Sequence, residues 1–179
     1  PPSNTIPKIV QGDMADWVEA GYILIEQDCR GTSRSEGICI PYLHERNDGL
    51  DLLEWIRKQS FYQGEIFLLG GSYLSSVHFA WLDAAKDDIK GAILAVQDCK
   101  RYNILYRNGF YKCGLHGGWA VGMYRRNQAI PRNYTEDTFR SMPLTEFSKI
   151  VFSEENTFIQ EEFKHPWPED PFWETPAGG

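Results

Sequence analysis

The chain has 179 residues, enough for one domain with a hydrophobic core, or one domain and a subdomain. Its 25 acidic residues outnumber 18 lysines and arginines, giving a net charge of −7 and a pI near 5.1, which argues against a nucleic-acid partner. No apolar run approaches the roughly 18 residues of a membrane span, so no membrane partner is expected. Cys29, Cys39, Cys99 and Cys113 are widely spaced, with no Cys-x-x-Cys pair. That pattern points away from zinc and toward a reducing, cytoplasmic setting. The sequence opens on Pro1-Pro2 without an initiator methionine, so targeting information is expected to lie outside it. No metal constellation, P-loop or dinucleotide fingerprint is present, and Gly70-Gly71 does not meet the G-x-G-x-x-G spacing, so no cofactor is expected.

Residues 1–12 are rich in proline and polar side chains and read as loop. Asp13 to Ala20 has helical spacing (Met14, Trp17, Val18) and stops at Gly21, a left-handed C-cap. Tyr22-Ile23-Leu24-Ile25 is a continuous apolar run, expected to be a strand covered on both faces. A long polar connection over residues 27–47 carries Asp28, Arg30, Gly31 and Ser35-Glu36-Gly37. Asp48 is then expected to cap a helix reaching about Lys58, with Leu50, Leu53 and Ile56 or Leu52 inward and a Glu54–Lys58 pair outside.

The stretch that organises the chain follows. Ile66-Phe67-Leu68-Leu69 reads as a short buried strand, Gly70-Gly71-Ser72 as a sharp turn, and Leu74, Val77, Trp81 and Ala84 as a helix reaching about Lys86. A serine where a buried strand breaks into a helix has the geometry of a nucleophile elbow. The turn asks for glycine two residues before the serine, where the helix crosses closely, and Gly70 stands there. The Tyr73 N–H would then face a developing oxyanion. The plainer alternative is a Gly-Gly-Ser turn whose serine caps the helix.

Gly91 to Val96 is a third apolar run. Three short apolar strands alternating with helices predict an α/β fold with a parallel, three-stranded sheet. Ligands in such sheets sit beyond the carboxyl ends of the strands, which places Asp28, Arg30, Ser72 and Asp98 along one edge. Beyond residue 100 Leu105 and the aromatics Tyr102, Tyr106, Phe110, Tyr111, Trp119 and Tyr124 interleave with glycines, and no strand signal is apparent. We read residues 100–179 as a helical cap subdomain and residues 1–99 as the core. Leu144 to Phe152 and Thr157 to Phe163 are short amphipathic stretches, and His165 to Trp173 is an extended aromatic tail expected to pack back on the core. The aromatic cluster over 102–124 reads as cap core before acyl pocket.

Gln27-Asp28-Cys29-Arg30-Gly31, Ser35-Glu36-Gly37 and Gly70-Gly71-Ser72-Tyr73-Leu74, in that order, with Asp48 to Ile56 and Gly64 between, resemble the CocE/NonD acyl hydrolases. That family includes cocaine-esterase-like enzymes and α-amino acid ester hydrolases and is related to X-Pro dipeptidyl-peptidases. It shows Q-D-x-R-G, S-E-G and G-x-S-Y-x-G. The resemblance covers about residues 17–110 and returns at His165-Pro166 and Asp170-Pro171-Phe172-Trp173. It implies part of an α/β-hydrolase core with a helical cap, acting as a serine hydrolase on acyl esters or amides. Ser72 matches the nucleophile and the Tyr73 N–H an oxyanion donor, while Asp28 and Arg30 match residues expected to brace the loop beneath the site. Ser75 departs from the family, which has glycine there, and bears on helix–strand packing. The resemblance also implies that a tyrosine hydroxyl donor lies before this segment and the catalytic Asp and His after it, so that this stretch by itself should be close to inactive. The sheet cut in this way would leave edges through which copies could associate.

Other residues weigh less. Asp98 with His116 or His165 would give a Ser, Asp, His order within the chain, but the resemblance assigns Asp98 no catalytic part. His78 lies too far along the elbow helix to return to Ser72, and His44 reads as solvated. Leu115-His116-Gly117-Gly118 looks like an oxyanion motif, yet such a motif should precede the nucleophile. The alternative function is a non-catalytic binding or assembly module that retains an inherited elbow.

Overall fold

A computed structural model describes residues 14–124, 140, 143–147, 149 and 157–175. Helix α1 (Met14–Glu19) ends as its sequence requires: Gly21 takes φ +92° and its N–H donates to Val18 O. The expected beginning of this helix at Asp13 lies outside the described residues.

Helix α2 (Glu45–Arg57) begins three residues before the expected Asp48 cap. His44 holds the N-cap position, so Asp48 is an internal residue of the first turns, and its carboxylate is taken by Arg30. The earlier start puts Glu45, Gly49, Leu53 and Ile56 on one buried stripe, a 3.6-residue pattern with a carboxylate at its head. Trp81 packs against Gly49, where a methyl group would come within 2.1 Å of the indole. Glu54 and Lys58 pair across one turn as the spacing predicts.

Strand β1 (Ile66–Gly71) runs parallel to β2 (Ile89–Ala95), with Phe67 opposite Gly91 and Gly71 opposite Ala95. Helix α3 (Tyr73–Phe79) and a 3-10 turn (Leu82–Ala85) make the crossover. The elbow helix is therefore shorter than the reach to Lys86 that its periodicity suggests; Trp81 is buried just before the turn, but the change to 3-10 geometry exposes the expected Ala84 and buries Ala85 in its place. Leu53, Leu68, Trp81 and Ala85 form the core between α2, the sheet and this crossover.

The expected third strand is not part of the sheet. Tyr22–Ile25 are all exposed and make no ladder, and among the described residues the parallel sheet has two strands. A cavity of about 930 Å³ is walled by this segment together with Ile66–Leu69, α2 and α3. Backbone groups on opposite sides of such a gap cannot reach across the roughly 4.8 Å spacing of paired strands. Tyr22 does touch β1, its ring meeting Phe67 edge-on at 5.7 Å.

The stretch after residue 100 holds a second departure. Helix α4 (Arg101–Leu105) leads into a hairpin of β3 (Tyr106–Arg107) and β4 (Phe110–Tyr111). Its loop is Asn108-Gly109, both at positive φ (+52° and +78°), the pairing that a tight two-residue hairpin turn requires. That signal stands in the sequence, masked by the surrounding aromatics. A π-helical turn (Cys113–Gly117) continues into α5 (Gly118–Tyr124). The polar stretch from Arg125 to Thr138 lies outside the described residues, as does most of the amphipathic stretch after Phe147. Helix α6 (Thr157–Lys164) follows. The tail does pack back, but onto the stretch after residue 100 rather than onto the core of residues 1–99: Trp173 packs with Tyr102 and Tyr106, and the Tyr102 hydroxyl donates to Pro166 O. Mixed helices and a parallel sheet make this an α/β fold. Among the described residues no helix is long and apolar enough to cross a membrane.

Candidate active site

The turn after β1 has the geometry that its sequence asks for. Ser72 sits at φ +56°, ψ −128°, outside the basins ordinary side chains occupy, a conformation costing on the order of 1–3 kcal/mol. Its N–H donates to Ala95 O at 2.8 Å, so the neighbouring strand holds the strained residue in place. The Ser72 side chain is exposed and makes no capping hydrogen bond to α3, which removes the helix-cap reading. Gly70 is required by close approach: a Cβ there would stand 2.8 Å from Leu74 C and 2.9 Å from Leu74 O. Nothing lies within 4 Å of a Cβ at Gly71.

Ser75, where the resembling family has glycine, strengthens the joint between helix and strands. It is fully buried, and its hydroxyl donates to Gly70 O at 2.8 Å. The same oxygen accepts from Ala95 N at 3.1 Å. One hydroxyl therefore ties the first turn of α3 to the ends of both strands.

Tyr73, the next residue after Ser72, turns its side chain inward. Its hydroxyl donates to Glu45 Oε1, and Glu45 Oε2 accepts the His44 N–H at 3.0 Å. Burial, then the Glu45 carboxylate, pushes the Tyr73 phenol far above its ordinary value, so it stays a donor. The Tyr73 ring meets Tyr42 edge-on and Trp119 at a tilt, both at 5.2 Å between centroids. Tyr42 itself stands at φ +70°, rare for a bulky residue, and carries the Arg101 guanidinium 4.4 Å from its ring centre. Arg101 is paired in turn with Glu162 on α6, both almost fully buried. Burial raises the Glu162 carboxyl and Arg101 opposes that shift. This chain of contacts joins the elbow to the aromatic part of the molecule. Sequence reasoning missed Tyr42 and Glu45, and read Trp119 as one of the cap aromatics without its contact to Tyr73. A glutamate at the head of the Gly49, Leu53, Ile56 stripe was the one signal, lost when the helix is begun at Asp48.

The remaining expected site residues fall as follows. Arg30 joins α2 through Asp48, with Nε 3.1 Å from Oδ2, rather than pairing with Asp28. Asp28 is exposed, and its carbonyl accepts from Ser35 Oγ, which closes the loop around Gly31. Asp98 uses both carboxylate oxygens at the start of α4, on Lys100 N (2.8 Å) and Asn103 Nδ2 (3.1 Å). His116 is buried among Tyr42, Tyr111 and Trp119, and burial, then Arg101 and Lys112, depresses its pKa to about 3. That makes it a weak base. His165 Nδ1 lies 2.8 Å from Asp170 Oδ2 and its ring stacks on Phe172, a clasp that closes the turn before Trp173. His78 Nε2 lies 3.2 Å from Leu69 O, away from Ser72 along the helix, and His44 is half-buried rather than solvated. Among the described residues no cluster of His, Cys, Asp or Glu could hold a metal ion.

An exposed serine at positive φ, glycine-gated between a parallel strand and a helix, is the arrangement of acyl-transfer hydrolases. The sequence pattern of the X-Pro dipeptidyl-peptidase (S15) family matches residues 3–177. The chain belongs to this family. It is 31% identical over 99 residues to the cocaine esterase of Rhodococcus sp., a match covering 55% of this chain and 17% of that enzyme. A Mycobacterium bovis protein provisionally named a serine esterase is 26% identical over 125 residues, 65% of this chain and 18% of the relative. Its Mycobacterium tuberculosis counterpart matches to the same extent. The chain thus spans under a fifth of the length of these curated relatives. No solved structure gives a significant match. The S15-family membership agrees with the acyl-hydrolase resemblance of its motifs.

Proposed function

We propose that this S15-family chain carries the nucleophile of a serine hydrolase that cleaves acyl esters or amides through an acyl-enzyme at Ser72. The observation that carries the proposal is the exposed Ser72 hydroxyl held at φ +56° on the strand-to-helix turn. In this reading Ser72 Oγ attacks the substrate carbonyl and the Tyr73 N–H holds one side of the tetrahedral oxyanion. A general base must take the serine proton. The four described histidines have other places: His44 stands at the N-cap of α2, His116 is a depressed base in an aromatic box, His165 is clasped by Asp170, and His78 faces Leu69. The base, its carboxylate and the second oxyanion donor are accordingly assigned to other parts of the parent protein. Asp28 and Arg30 brace the loop, Arg30 through Asp48, without reacting. Residues from about 100 onward form the cap in this scheme, the unpaired sheet edge offers a route to self-association, and the setting is the cytoplasm. An ester would release an alcohol as the serine is acylated and an X-Pro peptide would release the amine of the residue after proline, so the two substrate classes, compared side by side, separate the branches of this reading.

The test is labelling of the full natural protein with a fluorophosphonate, alongside Ser72→Ala. Labelling that vanishes in Ser72→Ala supports the hydrolase. Absence of labelling in both proteins would favour a non-catalytic module. The 179-residue chain alone should give no burst with an activated ester, since loss of triad partners costs several powers of ten in rate.

A further inference from the structure

The inward side of the elbow carries a feature that the nucleophile reading does not use. Glu45 is a carboxylate on the apolar stripe of α2, buried, with no cation among its hydrogen-bond partners in the described residues: Oε1 takes the Tyr73 hydroxyl and Oε2 the His44 N–H. Taking a carboxylate out of water is costly unless its hydrogen bonds are made. This one spends an oxygen on the residue that follows the nucleophile. Tyr73 is in consequence held at both ends. Its backbone begins α3 beside the strained Ser72, and its hydroxyl is fastened 28 positions away in sequence to α2. The ring between is confined by Tyr42 and Trp119.

We infer that Glu45 is a positioning residue for the reaction, acting through the Tyr73 hydroxyl to fix the Ser72–Tyr73 peptide. The inference rests on the hydrolase reading above. A side chain anchored at its tip cannot rotate about the helix axis without breaking that hydrogen bond, so the peptide preceding it keeps one orientation. The serine oxygen and the Tyr73 N–H then keep a fixed separation while charge develops on the substrate oxygen. Such preorganisation acts on the transition state more than on substrate binding. Glu45 touches neither substrate nor the reacting atoms.

The test uses the full natural protein with p-nitrophenyl acetate as substrate and a fluorophosphonate as label. Tyr73→Phe, which keeps the ring and its packing, should lower kcat by about tenfold to a hundredfold, the range of one charge-assisted hydrogen bond, with KM within about twofold. Glu45→Ala should do the same. Glu45→Gln, still an acceptor, should restore kcat to within about fivefold of the parent. The Tyr73→Phe, Glu45→Ala double variant should lose no more than Glu45→Ala alone, because without the carboxylate the Tyr73 hydroxyl has no Glu45 contact left to remove. A Tyr73→Phe enzyme with parental kcat, or losses that multiply in the double variant, would overturn the inference while Ser72→Ala still abolishes labelling and leaves the hydrolase reading standing. Labelling retained in Ser72→Ala overturns both.

Discussion

Tyr22–Ile25 and Ile66–Leu69 are four-residue apolar runs of nearly the same character, and they meet opposite fates. The second is a strand, paired with β2 along its length, with Leu68 buried against Leu53, Trp81 and Ala85. The first joins no ladder among the described residues, is 36–59% exposed, and borders a cavity of about 930 Å³. The two runs differ in what stands beside them. A strand exists through the ladder and face-to-face contacts of its neighbours, so an apolar run that joins no ladder has little to bury it. Ser72 inherits its position from the paired run, through Ala95 O and the Ser75 hydroxyl.

The comparison can be broken most forcefully at Leu68. Leu68→Ala should cost about 2–5 kcal/mol in urea unfolding, the range for emptying a core leucine site. A loss below 1 kcal/mol, on the order of a surface change, would mean that β1 is not the packed strand described. Gly70→Ala comes next: its methyl would press on Leu74 backbone, and overpacking of this kind costs roughly 1–3 kcal/mol, with slower fluorophosphonate labelling of Ser72. Gly71→Ala, with open space at the same atom, serves as the control and should change neither.

Asp88 tests the far end of the same sheet. Its carbonyl accepts the Ile66 N–H at 2.9 Å, and its carboxylate holds Arg57 of α2, with Nε at 3.1 Å, and the Tyr62 hydroxyl. The Arg57 hydrogen bond holds the Asp88 carboxyl below the usual range. A depressed folded pKa means stability present above the unfolded value of about 3.9 and lost as pH falls through the folded one. Asp88→Asn should therefore cost about 1–2 kcal/mol at pH 7 and flatten the acid limb of a stability profile. An unchanged acid limb would show that the pair does not form. The smallest effect belongs to the unpaired run. Ile23→Ala should change the stability of this chain by less than about 0.5 kcal/mol. A much larger loss in the full natural protein than in this chain would show that the cavity is filled there.

Much of the site was legible because its signals are local. Gly70 two residues before Ser72, apolar residues before and helical spacing after, mark the turn within five positions, although the bond that holds Ser72 comes from Ala95 on the neighbouring strand. The Gly21 cap and the Glu54–Lys58 pair are local in the same sense. The Asn108-Gly109 hairpin was equally local and was passed over because the aromatics around it suggested helix packing. The start of α2 was misplaced because Asp48 is a good capping residue by type, whereas the fold gives it to Arg30.

By itself the sequence determined the elbow, its strand and helix, and the acyl-hydrolase resemblance that its S15-family membership supports, since each depends on steric and periodic rules read along a few residues. Tertiary structure alone decided that one apolar run pairs and the other does not, that Asp48 rather than Asp28 receives Arg30, and that Glu45 reaches Tyr73. Those outcomes depend on which distant backbone or side chain comes within about 3 Å, a distance at which hydrogen bonding is steep and about which sequence spacing carries no information.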